Sequence, residues 1–252
     1  MTNLAQSMPA NRKMPRTQRT SSTWRRLFTW IASFVVLAVG LYLLVLWPWI
    51  SRWGATREEV QQTLPGDELI PNPGLVTTKA ITIHAPAEAI WPWLMQMGID
   101  RGGLYSYLWV ENWLLRLRVQ NSNEIRPEWQ TLQVGDFIRF TPKEYALNPG
   151  PGLYIMQLEP NRALAGCFGM EGSPPDCTQS ATWQFILESA GAQATRLVLR
   201  SRSADPGSAL ANNAAKFAQA FQFYMERKMV LGIKQRAEAH PVAYNSQQVT
   251  VS

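Results

Sequence analysis

Histidine and cysteine are scarce in this sequence, with two of each in 252 residues. His84 and His240 lie far apart, and no Cys/His/carboxylate grouping has the spacing of a metal site. No metal and no cofactor is therefore expected. A Gly-x-Ser-x-Gly elbow and a phosphate-cradling glycine loop are also missing, which removes the usual marks of a serine hydrolase or a nucleotide binder. Acidic residues are absent from positions 1–26, where Arg12, Lys13, Arg16, Arg19, Arg25 and Arg26 carry the whole formal charge of +6. Removing those six cations leaves 18 basic against 18 acidic side chains. The rest of the chain is electrically balanced, so no nucleic-acid partner is expected.

Ionisable groups are missing again from "LFTWIASFVVLAVGLYLLVLWPWI", residues 27–50, apart from the neutral Tyr42. Twenty-four residues rise about 36 Å as a helix, enough to cross a hydrocarbon core of roughly 30 Å with some tilt. Trp30 stands near one edge and Trp47, Trp49 and Trp53 near the other, where indoles prefer to sit. The run is longer than the h-region of a cleaved signal peptide and no small-x-small site follows it, so it reads as a signal anchor. Six cations precede it, whereas Arg52 and Arg57 beyond it are offset by Glu58 and Glu59. The positive-inside rule puts the N-terminus in the cytoplasm and the C-terminal part outside. The expected layout is a basic disordered cytoplasmic tail over 1–26, the membrane span over 27–50 and a linker with one short helix over 51–76. A folded domain over 77–238 and a disordered tail over 239–252 complete it.

In the linker, Thr56 and Glu59 have capping-box spacing and start a helix to about Thr63, after which Pro65, Gly66, Pro71, Pro73 and Gly74 forbid regular structure. "TTKAITIHAP" (77–86) is a strand with Ile81 and Ile83 on one face. In "PAEAIWPWLMQMG", Ile90, Trp93, Leu94 and Met97 form one helical face, with Pro92 expected to kink or split the helix. Residues 104–117 read as a second helical segment. Strands are expected at 134–140, 152–160, 162–168, 181–189 and 194–202, several joined by short turns. A long helix over 208–238 has Leu210, Ala214, Phe217, Phe221, Met225, Met229 and Gly232 or Ile233 as an apolar stripe.

The strand–helix opening "ITIHAPAEAIWPWLMQMG", with the later "GDFIRF", "TWQFILE", "TRLVLRSR" and "MERKMVLGIKQRAE" in this order, resembles the SRPBCC (START/polyketide-cyclase-like) superfamily and a membrane-anchored bacterial branch of it. The similarity spans about residues 54–238. The resemblance implies an α+β helix-grip fold: a curved antiparallel sheet wrapped around a long C-terminal helix, with two short helices after the first strand and a hydrophobic cavity between sheet and helix. Members bind lipids, sterols, polyketides or plant hormones, and a few catalyse cyclisation or dehydration.

The candidate ligand-binding residues are Trp93, Tyr105, Tyr107, Glu111, Trp129, Arg200, Phe217, Phe221 and Met225. If 104–117 is helical, Tyr107 and Glu111 lie one turn apart, and burial would raise the Glu111 carboxyl enough for proton transfer. The alternative is a surface Glu111 paired with Arg118. Arg196, Val198, Arg200 and Arg202 share one strand face. Either that face is solvated, or Arg200 reaches a ligand carboxylate or phosphate. Phe217, Phe221, Met225 and Met229 would roof a cavity. Asn112 and Glu128 either satisfy backbone groups or orient a ligand. Cys167 and Cys177, in the turn-rich "CFGMEGSPPDC", either pair as a disulfide or stay as buried thiols. The leading expectation is a membrane-tethered binding protein for a hydrophobic or lipid-like small molecule. The alternatives are a cell-envelope interaction module with a filled cavity, and a cyclase- or dehydratase-type enzyme using Glu111 and Tyr107.

Overall fold

The computed structural model describes residues 21–145 and 150–240. The expected basic tail up to residue 20, and the expected C-terminal tail from residue 241, lie outside the described residues. The chain divides into two compact units, Met1–Val45 and Leu46–Ser252. In the first, α1 (Ser21–Leu41) is an apolar helix. The helical run Trp24–Ser51 contains an 18-residue stretch with a mean hydropathy of 2.4 and is long and apolar enough to cross a membrane. It passes through a π-turn at Tyr42–Leu46 before α2 (Trp47–Ser51). Pro48 has no N–H for the Leu44 carbonyl and its ring crowds that oxygen, which favours a wider turn there.

The second unit is α+β with a helix-grip arrangement. Six antiparallel strands, β1 (Leu75–Ile83), β2 (Phe137–Arg139), β3 (Pro151–Glu159), β4 (Ala163–Met170), β5 (Ala181–Ser189) and β6 (Thr195–Ser203), lie in the order β1-β6-β5-β4-β3-β2. Strands β2 to β6 are sequential neighbours, and β1 closes on β6 with Ala80 opposite Val198. The β3–β4 register slips between Ile155 and Gln157, leaving Met156 as the extra residue of a bulge. Such a bulge bends the sheet. The concave face receives α5 (Ala209–Ala239), capped by the Ser208 hydroxyl.

Alternation assigns the two faces. Ile83, Leu197, Leu199, Phe185, Leu187, Leu164, Leu153 and Ile155 join α4 (Ala87–Met95) and the C-terminal half of α5 in the main core. α4 is not split at Pro92, which lies three residues before its end. Gly232 allows the chain at Tyr105 to rest on α5, since a Cβ there would stand 2.4 Å from the Tyr105 carbonyl oxygen.

The opposite face is covered by residues 55–70. Thr56 and Glu59 form the expected capping box on α3 (Arg57–Gln61), which ends two residues before the expected limit. Leu64 packs with Ala80, Ala163, Ile186 and Val198 in a second, smaller core. Three arginines on one face of β6 fasten this strap. Arg196 makes a bidentate pair with Glu59, at 2.6 and 3.0 Å. Arg200 meets Asp67 at 2.7 Å, Thr78 Oγ1 at 3.1 Å and the carbonyl of Gln62 at 2.8 Å. Arg202 donates to the Ile70 carbonyl at 3.0 Å. The composition of 54–74 reads as a spacer, but its few polar and apolar anchors make it part of the fold.

Residues 104–117 are not a helix. Helical structure is limited to a π-turn at Val110–Leu114 and the two residues before it. Tyr105, Arg116 and Arg118 take positive φ angles of 54–56°, which an α-helix cannot accommodate. Tertiary bonds hold this path: the Tyr105 N–H donates to Asn121 Oδ1 at 2.8 Å, and Asn112 bonds both backbone groups of Val119.

Candidate functional site

The contact between the concave face and α5 has an apolar end and a polar end. At the apolar end, Met229, Val230, Ile233 and Ala237 meet Trp93, Leu94 and Tyr105. Trp93 and Tyr105 stand edge to face at 6.0 Å, and the Tyr105 hydroxyl donates to the Trp93 carbonyl at 3.1 Å. Burial pushes the Tyr105 hydroxyl well above the usual tyrosine range despite the nearby Gln96 and Arg236.

The polar end is built around an ion pair. Lys79 from β1 and Glu226 from α5 meet at 2.6 Å, and each side chain is only 1% exposed. The Trp183 indole N–H from β5 and the Gln222 amide both donate to Glu226 Oε1 at 2.7 Å. Lys79 also donates to Thr77 Oγ1 at 2.8 Å. Gln219, two helical turns before Glu226 on the same α5 face, is buried, and its Oε1 lacks a partner among the described residues. Phe140, Phe168, Trp183 and Phe185 form a chain of ring contacts beside the pair, with successive centroids 5.0–5.9 Å apart.

A buried charge pair is retained at a large desolvation cost, so it has to be closely bonded where it occurs. Here Glu226 Oε1 accepts from two donors, and Oε2 lies at ion-pair distance from the Lys79 ammonium with no further hydrogen-bond partner among the described residues. An ammonium has three N–H groups; two of those on Lys79 are engaged by Thr77 and Glu226. One donor on Lys79, Glu226 Oε2 and Gln219 Oε1 thus remain, beside the buried Thr77 and Ser201 and the aromatic rings around Trp183. That combination suits a neutral hydroxyl, carbonyl or amide carried by an apolar molecule. It is a poor match for a free anion, because Glu226 already balances the charge.

The sequence-derived candidates scatter around this centre. Trp93 and Tyr105 fill the apolar end. Tyr107 stacks on Tyr224, with ring centroids 4.3 Å apart, and is half-buried. Glu111 is buried and neither carboxylate oxygen has a hydrogen-bond partner among the described residues, so it meets neither the Tyr107 hydroxyl nor Arg118. Burial raises its carboxyl to about 7. Trp129 is half-buried in a 3-10 turn beneath the Arg126 guanidinium, at 4.8 Å. Arg200 lies on the strap-covered face, 2% exposed and fully engaged; it is neither solvated nor turned toward α5. Phe217 and Phe221 lie on the exposed side of α5, and Met225 is half-buried where its carbonyl accepts the Ser106 hydroxyl at 3.2 Å. Glu128 is exposed, and Asn112 satisfies backbone. His84 is exposed and bonds Glu238 at 3.1 Å. Cys167 and Cys177 form a disulfide with a Cα–Cα distance of 5.6 Å. Among the described residues no group of three or more His, Cys, Asp or Glu side chains could hold a metal ion.

Lys79, Gln219, Gln222 and Glu226 were not among those candidates. One signal was available: Lys79 has the same strand parity as Ile81 and Ile83, whose face is apolar. Another was Glu226, the one acidic residue between 209 and 237.

No protein-family model and no curated protein sequence matches the chain. Solved structures do resemble it. A protein from Mesorhizobium loti is 15% identical, with 67% of this chain and 100% of that chain covered at a TM-score of 0.36. The Aha1 dimer from Colwellia psychrerythraea gives 16%, 65% and 96% at 0.37. An HSP90 activator from Plasmodium falciparum gives 12%, 63% and 97% at 0.34. Likeness at this level carries no argument about activity.

Proposed function

We propose that this chain is a membrane-tethered binding protein for a hydrophobic or lipid-like small molecule, held between the sheet and α5 of a domain of the SRPBCC type. The single observation that carries this reading is the Lys79–Glu226 pair with the buried Gln219, a polar centre placed among Phe140, Phe168 and Trp183. The ligand class that fits is an apolar molecule with one neutral polar end, such as a long-chain alcohol or a sterol. The apolar run Trp24–Ser51 supports the tether, and the basic residues before it support a cytoplasmic N-terminus with the domain outside.

A second reading, an envelope interaction module, is favoured by one observation: Trp93 and Tyr105, both buried, occupy the apolar end themselves. Thermal unfolding of the full chain in lipid nanodiscs separates the two. A long-chain alcohol at about 100 times its dissociation constant stabilises a binder by about 2.7 kcal/mol. For a domain of this size that is a rise in Tm of about 5–10 °C. The alkane of equal length is expected to give a clearly smaller rise. No shift with alcohols, sterols or alkanes would favour the interaction module.

A further inference from the structure

An i, i+4 series advances 400° per step, so it drifts by about 40° around the helix each time. The apolar stripe from Leu210 to Ile233 therefore does not stay on one face of α5. Its C-terminal members face the core, while Leu210, Phe217 and Phe221 face away from the sheet, 82%, 42% and 51% exposed. Tyr224 continues this outward face and stacks on Tyr107, which joins it to the segment Leu108–Leu114. That segment exposes Trp109, Trp113 and Leu114, with Trp113 at 76%. Exposed aromatic residues on two adjoining elements form a patch of the kind that marks a partner surface.

Charge and chain continuity say what covers it. Residues 209–225 contain no acid, and the Lys228 ammonium lies 5.8 Å from the Tyr107 ring centroid. A groove of about 390 Å³ beside Tyr107 and Trp109 includes Lys228 and Arg236 and no carboxylate in its wall. Meanwhile α2, the last turns of the apolar run, belongs to the same unit and packs on the middle of α5, with Trp49 and Phe223 rings 5.4 Å apart. The chain passes from this contact directly into the apolar run.

We infer that the outward face of α5 and the Leu108–Leu114 segment form a second membrane-contact surface, which lays the domain onto the anionic headgroup region of the bilayer holding its N-terminal span. This rests on the proposed tether. Indoles and phenyl rings enter the interface, and the cations beside them meet lipid phosphates. The domain is thereby fixed in orientation, where a flexible spacer would let it tumble.

The test uses the full chain carrying one introduced cysteine, at Trp113→Cys, Phe221→Cys or, as control, Ser189→Cys at the exposed end of β5. Cys167 and Cys177 are bridged, so a thiol-reactive NBD label reports one site. The labelled protein is reconstituted in phosphatidylcholine vesicles with and without phosphatidylglycerol, some doped with doxyl-labelled lipid. Flotation with the vesicles after carbonate washing reports the tether separately. Doxyl lipid should quench positions 113 and 221 at least about twofold more than 189, and more strongly in the anionic vesicles. Floating protein with equal quenching at all three positions would overturn the inference while leaving the tether standing. So would protection at 113 and 221 that follows protein density and ignores doxyl lipid, since that is self-association. Protein that does not float fails the tether itself.

Discussion

Glu226→Ala should be among the most damaging single changes in the molecule. It leaves the Lys79 ammonium, 1% exposed, with only the Thr77 hydroxyl, and it takes the acceptor from the Trp183 indole and the Gln222 amide. Breaking a buried pair from one side costs about 3–5 kcal/mol. The orphaned indole N–H costs a further share of about 1–3 kcal/mol. Because these terms overlap, a total near 4–5 kcal/mol is expected, a fall in Tm of about 8–20 °C for this size of domain. Lys79→Met should cost nearly as much, because it strands the carboxylate. The double variant Lys79→Met/Glu226→Ala removes both charges and strands only the indole and amide donors. It should be less damaging than Glu226→Ala, with a coupling energy of about 2–3 kcal/mol in the cycle. Thermal unfolding of the full chain in nanodiscs, followed by near-ultraviolet circular dichroism, measures all variants. Single changes each below about 1 kcal/mol with no coupling would show that the pair is hydrated, and the reasoning would fail.

Glu111 supplies a pH dependence of definite sign. Its folded value of about 7 lies above the ordinary 4.5, through burial. The folded state therefore binds the proton more tightly, so this group's contribution is fully present below about pH 4.5 and is lost as the pH rises to about 7. Unfolding midpoints across pH 4–8 should show this decline in the parent and not in Glu111→Gln; an identical profile in both would exclude it. The Cys167–Cys177 bridge closes a loop with a sequence separation of 10, worth about 3 kcal/mol in the chain-entropy model. Two free thiols in the unreduced, unfolded protein would contradict it. Arg200→Met should leave Asp67 without its closest cation partner and loosen the strap. Proteolysis within residues 57–70 should quicken severalfold before global unfolding, and an unchanged digestion pattern would argue against the strap being fastened there.

The sequence conveyed the elements better than their environments. Strand and helix periodicities located β1, β3 to β6 and α5 to within two or three residues, because those segments have regular alternation or a strong cap. The parity of Arg196, Arg200 and Arg202 was also legible. What covers them was not, since the strap has no periodicity and only its few anchors reveal its docking. Residues 104–117 have a helical pattern, but the Asn121 bond to Tyr105 and the positive φ angles at Tyr105, Arg116 and Arg118 override it. The stripe on α5 was misread for a geometric reason. Spacing by four drifts around the helix, so Phe217 and Phe221 were assigned to a roof they do not form. The polar centre escaped notice because a lone lysine on a strand is usually solvated, and its partner lies 147 positions away on another element.

The most direct measurement of the binding claim is photo-crosslinking of the full chain in nanodiscs with a diazirine-bearing long-chain alcohol. Peptides carrying the adduct should come from Phe168–Phe185 and Gln219–Met229, and Gln219→Leu, which leaves the ion pair intact, should lower their yield about fivefold, the equivalent of roughly 1 kcal/mol for one lost hydrogen bond. Adducts confined to Trp24–Ser51, with none between the sheet and α5, would contradict the account.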